Sequence, residues 1–144
     1  MRTRYFALIV GIVYLLVGVL GFIPALLAPP AGPPLAVEAG YGRLFGLFPV
    51  NLVHNLVHIA AGIWGIAAWR TFTNARAFSR GFAVIFLVLG VFGFIPGFAT
   101  LFGLTPLYGH DVWLHLISGA VAAYFGWASV PATARVGAEH RTER

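Results

Sequence analysis

The sequence predicts an all-α fold: a single bundle of four membrane-spanning helices made of two parallel two-helix repeats, with both termini cytoplasmic. Three observations predict it. The chain of 144 residues is 60% hydrophobic and only 9% charged, with a mean hydropathy of +0.89, whereas soluble domains carry about 25% charged residues. Its apolar residues fall into four stretches, each near the roughly 20 residues that a spanning helix needs. And the chain contains itself twice. There are no cysteines, which excludes disulfides and thiolate metal sites.

The elements follow in order. The expected spans are Tyr5–Leu27, Val50–Trp69, Phe78–Pro96 and Leu107–Val130. The first connection, Ala28–Arg43, is rich in Pro and Gly and reads as a long loop. The second, Arg70–Arg80, is short and basic, and the third, Gly97–Pro106, is apolar enough to predict an interfacial, partly helical segment. A short charged tail occupies 131–144, and the whole chain, 1–144, reads as one membrane domain. The start "MRTR" and the following "ALLAPPAG" resemble a secretory signal, but the apolar run exceeds the about 7–15 residues of a signal core, so the first span is expected to be retained.

Arginine placement orients the bundle. All nine basic residues are Arg. With four spans, Arg2, Arg4, Arg70, Arg76, Arg80, Arg135, Arg141 and Arg144 fall on one side and Arg43 alone on the other. Positive loops stay inside, which predicts a multi-pass protein of the bacterial plasma membrane. The net charge of +5 lies beside apolar spans, so it points to topology and anionic lipid and away from nucleic acid.

The repeats cover about 5–69 and 78–130. "LLVGVLGFIP" (Leu15–Pro24) matches "LVLGVFGFIP" (Leu87–Pro96) at an offset of 72, and "FGLFPVNLVHNLVHIAAG" (Phe45–Gly62) matches "FGLTPLYGHDVWLHLISG" (Phe102–Gly119) at an offset of 57. In the second match His58 corresponds to His115 and His54 to Asp111. Residues at i and i+4 share a helix face, so one face carries Asn51, His54, His58, Gly62 and Gly65, and its counterpart Tyr108, Asp111, His115, Gly119 and Ala122. Both stripes are polar toward the outer end and small toward the cytoplasm. Small residues let helices approach closely in lipid, which predicts that spans two and four touch at Gly62 and Gly119. Gly11 lies outside that stripe and is expected to tolerate a large side chain better. Gly93 and Gly97 read as further packing positions.

His54, His58, Asp111 and His115 are therefore the candidate site, with Asn51, Asn55, Tyr108 and His110 as supporting residues and Trp113 within reach. Three readings are open. The cluster can be a structural hydrogen-bonded network between helices. It can bind a transition metal, since imidazoles and a carboxylate on facing helices suit zinc, copper or iron, or hold a haem between His58 and His115. It can relay protons. Aspartate within a span costs about 2.5–3.5 kcal/mol on insertion scales, which by default marks a functional site. His140, in the tail, is expected to be solvated. No phosphate-cradling loop, nucleophile elbow or zinc-protease motif is present, so no catalytic residue is assigned.

The motifs "GVLGFIP", "NLVHNLVHIAAGIWG" and "DVWLHLISGAVA" together resemble a bacterial family of small four-span membrane proteins catalogued as domain of unknown function 4383. The resemblance implies a four-helix membrane fold and no activity. The residues themselves point to a non-enzymatic accessory or binding subunit embedded in the lipid bilayer, partnered by a larger membrane complex or by its own copies. A metal- or haem-binding redox or metal-handling protein is the alternative.

Overall fold

In the computed structural model, which describes residues 1–128, the apolar sequence condenses into four helices. They are α1 (Arg2–Leu20), α2 (Leu52–Ala68), α3 (Phe72–Phe92) and α4 (His110–Ala123), the last continued by a π-helical turn, Tyr124–Ala128. The expected end of the fourth span and the tail with Arg135, His140, Arg141 and Arg144 lie outside the described residues. By length and composition α1 and α3 can cross a membrane, while α2 is a shorter apolar helix. Two described helices, rather than the expected four, meet that length.

α2 and α3 start where the sequence provides a cap. Asn51 precedes α2 and accepts from the His54 N–H at 3.0 Å. Thr71 precedes α3 and accepts from the Asn74 N–H at 3.1 Å. Such side chains satisfy otherwise unpaired N–H groups of the first turn. The cap at Thr71 corrects one boundary: most of the basic stretch 70–80 is not a connection but the first turns of α3. Arg and Ala, common there, are good helix formers.

The first connection is more ordered than a Pro/Gly-rich loop suggests. It folds into a small antiparallel sheet of β1 (Leu27–Ala28), β2 (Gly42–Leu44) and β3 (Phe48–Val50), with Leu27 opposite Leu44 and Arg43 opposite Pro49. The third connection was expected to be partly helical and is instead a series of turns. Leu101, Phe102 and Gly103 have φ of 45°, 58° and 87°, and successive left-handed residues cannot continue a right-handed helix. The equivalent Phe45 and Gly46 also turn left-handed, with φ of 54° and 75°. Gly97, expected at a helix contact, has nothing near it and serves its turn with φ of 87°.

α1 packs chiefly on α2, and α3 chiefly on α4; α2 and α3 meet sparsely. The two hairpins use the same contacts. A Cβ added at Gly62 would lie 2.5 Å from the Leu15 nitrogen, and one at Gly119 would lie 3.0 Å from the Leu87 nitrogen. Gly18 abuts Ile59 and Gly90 abuts Leu116, while Gly21 abuts Asn55 and Gly93 abuts Val112. In every pair the first helix is displaced by 72 residues and the second by 57. The end opposite the sheet repeats as well: Arg4 Nε donates to the Trp69 carbonyl at 2.7 Å, and Arg76 Nε to the Gly126 carbonyl at 2.9 Å. These offsets are the ones at which the sequence repeats.

Two packing expectations change. Gly62 and Gly119 do not meet each other; each meets the odd-numbered helix of its own hairpin, with Gly65 against Ala7 and Gly11. Gly11 is no tolerant site either, since its Cβ would stand 2.6 Å from the Ile66 nitrogen. The i, i+4 pattern identifies a small face but not the neighbour it faces. Between the hairpins lies an aromatic core in which Phe82 stacks on Phe86 at 3.8 Å, flanked by Phe78 and Tyr14.

Gly11→Ala and Gly62→Ala are each expected to lower bundle stability by about 1–3 kcal/mol, the range for overpacking. Ile117→Ala, on an exposed position, is expected to change it much less. Detergent or denaturant melts of the three variants check this, and equal tolerance would contradict the backbone contact.

Candidate functional site

The inward faces of α2 and α4 bring the four candidate residues together near the sheet end. His54, His58, Asp111 and His115 are all buried. His54 Nδ1 lies 3.5 Å from Asp111 Oδ2, long for a hydrogen bond but a close approach of the two repeat equivalents. The His54 and His58 rings stack face to face, with centroids 4.2 Å apart and planes 12° apart. His115 stands 6.4 Å from His54 and 6.5 Å from His58. α2 and α4 thus present these side chains to one another, as the shared face predicts, although their backbones stay apart.

The repeat extends to the partners of the histidines. Tyr14 of α1 lies 5.0 Å from the His58 ring, and Phe86 of α3 lies 5.0 Å from the His115 ring. Tyr14 and Phe86 are again 72 residues apart. The Tyr14 hydroxyl crosses to the other hairpin and bonds Ser118 Oγ at 2.9 Å. Tyr14, Phe86 and Ser118 are not among the residues the His-bearing stripes single out. The offset of 72 was the available signal, because it pairs two aromatics facing two histidines.

The supporting candidates divide. Asn51 is central to the sheet end: besides capping α2, its Nδ2 donates to the Val37 carbonyl at 2.9 Å and to the Leu104 carbonyl at 2.8 Å. It ties the first and third connections to one helix start. The Gly103 carbonyl reinforces this by accepting from Ala36 and Val37. Tyr108 shares a hydrogen bond with Tyr41 of the first connection and so belongs to the loops. His110 packs against Phe48 at 6.3 Å. Trp113 is exposed and edges Phe94, so it takes no part in a buried network. Asn55 is buried beside Gly21, and its amide has no hydrogen-bond partner among the described residues.

One hydrogen bond settles a proton position. His58 Nδ1 lies 3.0 Å from the carbonyl oxygen of His54. A carbonyl only accepts, so Nδ1 carries the hydrogen, and Nε2 of the neutral ring is left as an acceptor. His58 Nε2, His115 Nδ1 and Thr105 Oγ1 are buried without partners among the described residues. All three side chains line a cavity of about 180 Å³ between α2, α3 and the third connection.

The metal and haem readings gain no support from this geometry. Among the described residues no three His, Cys, Asp or Glu side chains form a metal-holding group. Zn–N bonds are about 2.0–2.1 Å, and adding about 1.1 Å from nitrogen to centroid places two imidazoles on one tetrahedral ion only about 5 Å apart. His58 and His115 are 6.5 Å apart. The His54 and His58 rings, lying flat on one another, do not converge either. A tetrapyrrole needs far more than the cavity's 180 Å³, since pockets for drug-sized ligands already take roughly 300–1,000 Å³.

Asn51→Ala is expected to cost about 2–4 kcal/mol, from a lost cap of about 1 kcal/mol and two lost hydrogen bonds to carbonyls at about 0.5–1.5 kcal/mol each. Asn51→Asp keeps the capping oxygen but turns an acceptor toward the two carbonyls. It is expected to be the worse variant, and an Asp variant more stable than the Ala variant in thermal melts would refute the stapling role.

The family model described as Domain of unknown function (DUF4383) matches residues 4–128. No curated protein and no solved structure matches the chain.

Proposed function

The chain belongs to the family of domain of unknown function 4383, and we propose that it is a small, non-enzymatic, four-span protein of the bacterial plasma membrane, an accessory or binding subunit whose buried His/Asp cluster joins two parallel repeats. The observation that carries the reading is the inside-out distribution of side chains. Ile9, Leu16, Ile63, Val84, Ile117 and Val121 are exposed on all four helices, while His54, Asn55, His58, Asp111 and His115 are buried. Water would favour the opposite arrangement; a bilayer favours this one.

Length is compatible with four crossings. α2 has 17 residues and would extend about 26 Å at 1.5 Å per residue, at the short end of the spanning range. α4 with its π turn, His110–Ala128, is comparable. The paired glycine contacts and the paired Arg–carbonyl bonds support two equivalent hairpins entering from one side. Arg4, Arg76 and Arg80 all bond carbonyls at the end away from the sheet, and Arg4 and Arg80 also lie over Trp69 and Trp127. Arginines and tryptophans gathered at one level fit a cytoplasmic interface. Within this setting the cluster works as a neutral polar network between the hairpins, and partners bind through the lipid-facing surface, as a larger complex or a homo-oligomer.

Reporter fusions test the topology. Fusions at Arg76 and after residue 128 are expected to report cytoplasm, and an insertion within 31–34 to report the outside. A periplasmic signal at Arg76 would overturn the orientation, and signals from opposite sides at Arg76 and after residue 128 would overturn the parallel-repeat arrangement.

A further inference from the structure

The cavity beside His58 and His115 carries an inference about ligand class, which rests on the membrane-binding reading above and deepens it. We propose that this cavity binds the head of an uncharged lipophile bearing a hydroxyl on a six-membered ring, a phenol or quinol, with the hydroxyl bridging His58 Nε2 and His115 Nδ1.

Size sets the first limit. A cavity of about 150 Å³ lined by aliphatic and aromatic side chains holds benzene, so one of about 180 Å³ holds one substituted ring. Val53, Val57, Phe86, Leu89, Leu101 and Leu107 line most of it, which suits an apolar body and not an ion or a sugar. Val57 is exposed on the outer surface, and α2 and α3 pack sparsely there. A tail attached to the ring therefore leaves sideways between these helices.

Polarity sets the second limit. Two imidazole nitrogens, on histidines 3% and 1% exposed, lack partners among the described residues, and an unsatisfied buried polar atom costs about 1–3 kcal/mol. An acceptor or donor oxygen reaches about 4 Å from the centre of an imidazole it hydrogen-bonds, so rings 6.5 Å apart are close enough for one oxygen to serve both.

Proton placement sets the third. His58 Nε2 is an acceptor because Nδ1 gives its hydrogen to the His54 carbonyl. The bridging oxygen must therefore donate to His58, and with His115 in its Nδ1–H tautomer it accepts from that ring. A hydroxyl does both. A carbonyl or an ether oxygen can only accept, and it leaves His58 unsatisfied. A lone water has the same hydrogen bonds but leaves the apolar part of the cavity unfilled.

The test uses the full chain in detergent or nanodiscs and a series of probes: 4-decylphenol, 4-decylanisole, decylbenzene, n-decanol and decylubiquinol. Thermal stabilisation and calorimetric titration give affinity. The expected result is that 4-decylphenol and decylubiquinol bind at least about tenfold tighter than the anisole and the hydrocarbon. His58→Phe and His115→Phe are expected to abolish that preference. Folded wild-type protein that binds phenol, anisole and hydrocarbon equally, or none of them, overturns the proposal. Tighter binding of n-decanol than of the phenol overturns the ring. The comparison within wild type needs no variant, so it decides even where a substitution unfolds the chain. Failure here with the expected reporter topology leaves the membrane reading standing; failure of the topology defeats that reading by itself.

Discussion

Backbone contact between paired helices is the constraint from which the other features follow. Gly62 and Gly119 bring α2 and α4 within a Cβ's breadth of Leu15 on α1 and Leu87 on α3. Such contact gains dispersion energy along the whole hairpin. It also fixes rotation. Once the glycines of α2 and α4 are pressed against the neighbouring helix, the histidines one and two turns away have only the bundle centre to enter. The same geometry made twice brings two polar stripes into one cluster.

That cluster has a cost that the rest of the structure offsets. Imidazoles, a carboxyl and an amide sit in a core otherwise made of Phe78, Phe82, Phe86 and Tyr14. Stacking of His54 on His58 and the aromatic partners Tyr14 and Phe86 bury the ring faces. Their nitrogens are less well served, since His58 uses one on its own helix and its other, with one of His115, stays without a protein partner among the described residues. A network partly satisfied in a low-dielectric interior is unfavourable as pure structure. This is the physical reason to read the site as a place for a ligand rather than as glue alone.

The connections close the polar end. Asn51 holds both long connections by backbone carbonyls, and Tyr41 meets Tyr108 across them. The left-handed pairs Phe45–Gly46 and Phe102–Gly103 turn the chain at equivalent places. The glycine is at ease with positive φ, but the phenylalanine is not. The sheet end is thus specified by hydrogen bonds to loops, whereas the arginine end is specified by guanidinium groups on helix-end carbonyls, where positive charge also complements the helix dipole.

Four apolar segments, the internal repeat and the burial of His54, His58, Asp111 and His115 together were legible in the sequence, because periodicity and an offset of 57 residues assign faces without knowledge of neighbours. The partner of each face was not legible. A stripe of small residues shows that something comes close, and only the packed bundle shows that Gly62 meets Leu15 instead of Gly119. Ring stacking and the His58 proton position likewise depend on rotamers and on a carbonyl 3.0 Å away, which no spacing rule contains. The small sheet and the left-handed third connection were decided by tertiary contacts acting on segments whose local propensities are weak, and the early start of α3 by the cap at Thr71. Sequence alone determined that His54, His58, Asp111 and His115 go inside together; the tertiary structure decided what each of them touches, and so which chemistry the cavity can accept.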